Sequence, residues 1–375
     1  MKKLFKFLTC FALVFTIVLS GCSCVSPTPL TFSSSFLTEQ DNLKDFKETV
    51  TYDLSYLNGD KNYPYINKSQ SVAEYIKDFV IQDGYYKTQL STIFTSNEKT
   101  DLSDLKASGL FKDGDTIFKL ITELNHQGQL VLNNDVKHQL ADTVTTETYF
   151  LEKDHSYAPI YTESSSDMSL ITCDTQTLTV GNIVNKSVTV YNKVDYTITT
   201  ETYSKGSISY NATSAEIENQ STSTTDIDKT TETYEYDLKT LVDNNQLLFI
   251  LRNFKTQQDT VSLLPVVSPA YGEQKYLNIR QDSAKNIPLT FTYNGNSAQD
   301  SETIPVKSLS FAINDVKASG QTQYLTYQTG TSIAETPTVL SRALLIEYAF
   351  PMPIYGIMGS LGGLKCSIKS VEINK

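Results

Sequence analysis

The sequence predicts a mainly β fold: a single curved antiparallel sheet, a half-barrel, with a short central helix and one or two flanking helices. Three observations predict it. Long stretches rich in Thr, Ser and Tyr alternate between apolar and polar residues, as strands covered on one face do. Turn signals such as Asn58-Gly59, Lys205-Gly206 and Asn294-Gly295 punctuate these stretches. One apolar run, residues 243–254, breaks the alternation, with Leu247, Ile250, Leu251 and Phe254 at helical spacing. Asp243 or Asn244 caps its start, because a short side-chain oxygen accepts from the free N–H groups of a first turn. One short apolar helix between two β-rich halves implies a sheet curled around it. Leu247 and Leu251 are therefore expected to line the hollow.

The first residues read as an address. Lys2, Lys3 and Lys6 form a basic region, and Leu8 to Leu19 an apolar one too short for a full membrane span. The segment ends Leu19-Ser20-Gly21-Cys22, which resembles the lipobox of bacterial lipoproteins, whose cysteine is acylated and becomes the new N-terminus. Residues 1–21 are expected to be a signal peptide and Cys22 the lipidated residue. The membrane would then be reached through acyl chains, each buried CH₂ contributing about 0.8 kcal/mol. The expected location is the extracytoplasmic face of the cell membrane. Residues 22–45, with Ser26-Pro27-Thr28-Pro29 and Ser33-Ser34-Ser35, have too little apolar content to order themselves and read as a tether. Residues 46–375 are the half-barrel domain. Loss of the signal takes three lysines away and moves the net charge from −11 to −14. An acidic chain disfavours nucleic acid as a partner.

Thr49 to Leu57 alternates and reads as the first strand. Ser71-Val72-Ala73-Glu74 has the form of a capping box and predicts a helix with Val72, Tyr75, Ile76, Phe79 and Val80 on one face. Strands joined by tight turns follow to Tyr149, and residues 149–164 form two strands with a loop between. In the next stretch Val188, Val190, Val194, Tyr196 and Ile198 are expected to face the core, with Thr189, Lys193, Asp195, Thr197 and Thr199 in water. Residues 211–230 are polar and read as a mobile loop. Strands resume at 261–267 and continue to Arg342–Phe350, where Leu344, Ile346, Tyr348 and Phe350 share a face. Residues 351–363 read as an apolar connection that prolines stiffen and glycines let bend. Its Met352, Ile354, Tyr355, Ile357, Met358 and Leu361 present unusual apolar area for a loop and are candidates for a lid over the hollow. Residues 365–373 close the sheet.

The order of these elements, with Val50-Thr51-Tyr52-Asp53-Leu54, Ala158-Pro159-Ile160-Tyr161-Thr162-Glu163-Ser164 and the Asp243 to Arg252 helix, resembles bacterial envelope proteins built as a single curved half-barrel. These are similar in shape to the Lol-type lipoprotein carriers and the mycobacterial glycolipid-carrying lipoproteins. Ile304-Pro305-Val306-Lys307 stands where that family commonly has a glycine before a late strand. The resemblance implies a hydrophobic hollow and lipid handling, and brings no catalytic motif. Nor do the residues supply one: there is no Gly-x-Ser-x-Gly elbow, no Cys/His spacing for zinc, and no cofactor motif. Cys173 and Cys366 are the two domain cysteines available for a disulfide. Two function classes follow, neither an enzyme. One is a lipid-anchored carrier holding an apolar, lipid-like ligand in the hollow, with the lid residues, Leu247 and Leu251 against it. The other is an envelope scaffold or interaction protein whose hollow is filled by its own side chains.

Overall fold

The computed structural model describes residues 46–94, 105, 109–112, 114–153, 156–236, 242–253, 261–267, 275–281, 285–289, 291–294, 304–314, 322–328, 343–356 and 359–374. The signal peptide, Cys22 and the tether lie outside them. Strand β1 (Lys47–Leu57) runs through the middle of a large curved sheet. On one side follow β2 (Ile76–Phe94), β3 (Thr116–Leu132), β4 (Lys137–Lys153), β5 (Ser156–Cys173), β6 (Thr177–Tyr191) and β7 (Asp195–Asn211), each antiparallel to the next. β8 (Ile217–Ser221) and β9 (Asp228–Glu235) both pair with β7. The second half of the chain holds β10 (Val242–Asp243), β11 (Val261–Val267), β12 (Lys275–Gln281), β13 (Lys285–Leu289), β14 (Thr292–Tyr293), β15 (Ile304–Asn314), β16 (Gln323–Gln328), β17 (Leu345–Gly356) and β18 (Gly359–Ile373). β18 lies against the other edge of β1, and β17, β16, β15, β12, β11 and β10 continue outward from it. A two-residue parallel pairing of β17 with the end of β5 joins the two halves, so that strands β17, β18 and β1 to β5 form a closed ring. The half-barrel is thus a curled sheet with one narrow clasp.

The concave side has two apolar ends and a polar waist. Phe118, Leu120, Phe150 and Tyr157 belong to one apolar cluster. Leu130, Leu132, Leu140, Ile171 and Cys173, further along the same strands, belong to another. Between them lie buried hydroxyl and amide side chains, Thr122, Thr146, Thr148, Thr162, Ser164 and Ser166, continued by Asn185, Ser187, Thr189, Thr200 and Thr202 on β6 and β7. Cross-strand register aligns them, with Thr122 opposite Thr146, Thr146 opposite Ser164, Ser164 opposite Ser187 and Ser187 opposite Thr200. Where two hydroxyls of such rows bond across the ladder, the bond offsets their burial. Thr122 and Thr146 do so at 2.5 Å, and Thr162 donates to Thr148 at 3.4 Å, whereas Ser164 Oγ and Thr189 Oγ1 are buried without a hydrogen-bond partner among the described residues.

This waist corrects the expected facing of β6. Thr189 is fully buried, Val188 and Val190 are half-buried, and Val194 lies in the turn between β6 and β7 at 67% exposure. Tyr196 and Ile198 do face inward. Two other expectations change. The capping-box helix is a single turn, α1 (Gln70–Ala73), after which Ile76, Phe79 and Val80 lie in β2. Residues 211–230 contain β8 and the start of β9.

Candidate functional site

Asp243 ends β10 with extended backbone and starts the central helix. Its Oδ1 accepts the Asn245 N–H at 2.7 Å, the cap read from the sequence. A 3₁₀ turn (Asn244–Gln246), α2 (Leu247–Ile250) and a second 3₁₀ turn (Leu251–Asn253) follow. Leu247, Ile250 and Leu251 are each 1% exposed, and Phe249 rests against Phe150 and Tyr157 with ring centroids 5.1 and 5.6 Å away. Leu247 and Leu251 are thus buried within the curled sheet, with aromatic side chains of β4 and β5 packed onto the helix. Phe254 lies outside the described residues.

Charged and polar groups fix both ends of the helix. Tyr191 donates its hydroxyl to Asp243 Oδ2 at 2.5 Å, and Thr162 bonds the same carboxyl. Burial pushes the Asp243 carboxyl above the usual carboxylate range, and these hydrogen bonds oppose the shift. Gln246 donates to the Tyr157 carbonyl at 2.8 Å. The Pro159 stretch and the Asp243 helix, the two stretches most particular to the family resemblance, thus meet in space. At the other end Arg252 places a forked pair of bonds on Glu48, 2.6 Å to Oε1 and 3.2 Å to Oε2, and a third on the Ala343 carbonyl at 3.3 Å. Both side chains are nearly inaccessible, at 7% and 2% exposure.

The predicted lid is instead the paired hairpin of β17 and β18. Pro351 sits opposite Gly363 and Pro353 opposite Ser360, with Met352 in the bulge between. Prolines are tolerated there because the pairing with β16 extends only to Ala349 and that with β5 begins at Tyr355, so that among the described residues positions 350–354 have no ladder on that edge. Gly363 serves close packing: a Cβ there would lie 2.4 Å from both Ile66 and the Phe350 carbonyl oxygen. Ile354 and Leu361 are buried in the second apolar cluster, Met352 packs against it half-buried, and Tyr355 is half-buried. Ile357 and Met358 lie outside the described residues. The structure thus separates the candidate residues. Leu247 and Leu251 belong to the cluster at one end of the waist, Ile354 and Leu361 to the cluster at the other.

Cys173 and Cys366 are unpaired and buried, in different apolar clusters. Burial pushes the Cys173 thiol up to about 11, with Asp174 adding to the shift. Among the described residues no group of three His, Cys, Asp or Glu side chains is placed to hold a metal.

Two features had no sequence signal. His126 and Asp142 face each other across β3 and β4, 3.3 Å apart and buried, with the Ser169 N–H donated to Asp142 at 2.6 Å. Sixteen positions separate them, and only the hairpin register brings them together. The second is a cleft of about 490 Å³ on the outside of the sheet, lined by residues 53–56 of β1 and 79–84 of β2. It opens where the two strands part, which no local pattern announces.

No family model matches the chain, and no curated protein matches it. A solved structure of similar outline is the crystal structure of a beta-barrel-like protein of a domain of unknown function, DUF1849, from Brucella abortus. Its identity to this chain is 7%, the match covers 89% of this chain and 100% of that one, and the TM-score is 0.38.

Proposed function

We propose that the chain is a lipid-anchored protein of the extracytoplasmic face of a cell envelope, not an enzyme, that acts by binding at its outer surface and not by carrying an apolar ligand in its hollow. One observation carries the choice between the two classes. The side chains that would grip a lipid, among them Leu247, Ile250, Leu251, Leu120, Phe150 and Tyr327, are at most 4% exposed with the chain alone. A carrier's hollow keeps apolar surface open for its cargo, whereas here the central helix occupies that place. The anchor rests on Leu19-Ser20-Gly21-Cys22.

Native mass spectrometry of the full-length protein tests the choice. The expected spectrum carries the mass of the acylated chain alone. A stoichiometric co-purifying lipid, released only on unfolding, would overturn the self-filled reading and favour the carrier. Metabolic labelling with a palmitate analogue tests the anchor: Cys22→Ala is expected to abolish the label, and a labelled variant would exclude Cys22.

A further inference from the structure

β1 and β2 pair from Lys47 opposite Ser91 as far as Asp53 opposite Tyr85, and no further. Beyond that point β1 continues to Leu57 with β18 on its other side, and β2 runs back to Ile76 with β3 on its other side. Two strand edges therefore face each other across the outer cleft with no ladder between them. The connection from Asn58 to Tyr75 closes the far end. Gly84 marks the point of parting. Its φ is +152°, and a Cβ there would lie 2.5 Å from the Asn125 carbonyl oxygen and 2.9 Å from the Leu54 side chain.

We propose that this cleft is a docking site for a short, extended, basic segment of a partner protein, added as a strand between β1 and β2. The size fits. A strand residue fills about 160 Å³ of sheet, from strand spacing, rise and sheet thickness, so a cleft of about 490 Å³ takes about three residues. The charge fits through Asp83: the ten lining residues include two carboxylates and no cation, and of the two Asp53 is already paired with Lys369 at 2.8 Å. Charged side chains already serve the β2 backbone at both ends of the parted stretch. Lys68 donates to the Ile76 and Lys77 carbonyls at 3.2 and 2.8 Å, and Asp78 and Asp83 accept the N–H of Phe79 and Gly84, both at 2.8 Å. Val80 and Tyr85, large apolar side chains at 44% and 39% exposure, flank the opening and offer contacts for alternate side chains of an added strand.

The proposal gives the outer-surface reading a place and a partner chemistry, but its test is separate from the mass measurement. A co-purifying lipid would overturn the self-filled hollow without touching the peptide result, and the converse holds. Fluorescence anisotropy of the full-length protein is measured with three labelled hexapeptides. One alternates lysine and valine, one alternates glutamate and valine, and the third is the lysine peptide methylated on alternate backbone nitrogens. The lysine peptide is expected to bind saturably and the glutamate peptide not at all. Methylation, which removes ladder donors and keeps the charge, is expected to weaken binding about tenfold. Asp83→Lys should weaken binding of the lysine peptide and favour the glutamate peptide. In the wild-type protein the lysine peptide should slow amide exchange over residues 80–82, a readout that needs no variant. No saturable binding, equal binding of the methylated peptide, or protection elsewhere with residues 80–82 unaffected would each overturn the proposal.

Discussion

Arg252 is the cation of a buried ion pair that ties the end of the central helix to the first strand through Glu48. A buried pair repays its desolvation only while both partners are present. Arg252→Met is therefore expected to lower stability by about 3–5 kcal/mol, because it leaves the Glu48 carboxylate buried alone. Adding Glu48→Met should recover most of that loss. Urea unfolding of the two single variants and the double variant measures the coupling, and additive losses would mean that the pair does not act as a unit. Asp243 makes a prediction with a pH sign. Its carboxyl is raised in the folded protein, so the protonated form is the one folding favours. That contribution is fully present below the unfolded value, about 3.9, and is lost as pH rises through the folded value. Asp243→Asn, which cannot ionise, should therefore close part of its stability gap to wild type as pH rises above about 4. A gap that widens over this window would contradict burial as the dominant cause.

The central helix was legible from sequence because two independent signals agreed there: apolar residues at helical spacing and a capping carboxylate. Leu251→Ala is expected to cost about 2–5 kcal/mol, since the lost methyls leave a cavity in the buried apolar cluster. A melting temperature within a degree of wild type would show that the helix does not fill the core. The other elements misled in instructive ways. Val72, Ile76 and Phe79 are all buried, but Val72 lies in a single helical turn while the other two lie on a strand bent by bulges. Bulges shift strand period toward that of a helix, and a pattern of three cannot separate the two. In β6 the rule that valine goes inside failed because the neighbouring strands turn rows of hydroxyls inward, and Thr189 joins those rows. That choice is made by register across strands, which one strand cannot reveal. In β17 the prolines and glycines suggested bending, whereas they mark the stretch between its pairings with β16 and β5 and a close crossing.

Over the whole molecule, the curled sheet and its filling were readable from alternation, turns and one helix. The ring was not, because the clasp between β17 and β5 spans two residues of each and carries no pattern of its own. The cleft was unreadable for a related reason: it is defined by where pairing stops. The polar waist divides the interior, so that Leu247 and Leu251 on one side and Ile354 and Leu361 on the other, grouped from sequence as one ligand site, belong to two separate apolar clusters.

The seating of β1 between β2 and β18 has a consequence in time. The Lys369–Asp53 bond joins positions 316 residues apart, and β1 cannot complete its pairing until β18 has been made. Closing so long a loop comes before any contact that rewards it, which makes folding slow. Until β18 has been made, the early strands can form hairpins with one another, but the ring has no last member. Everything from β2 to β17 must therefore wait on one late strand before the first strand is held on both sides.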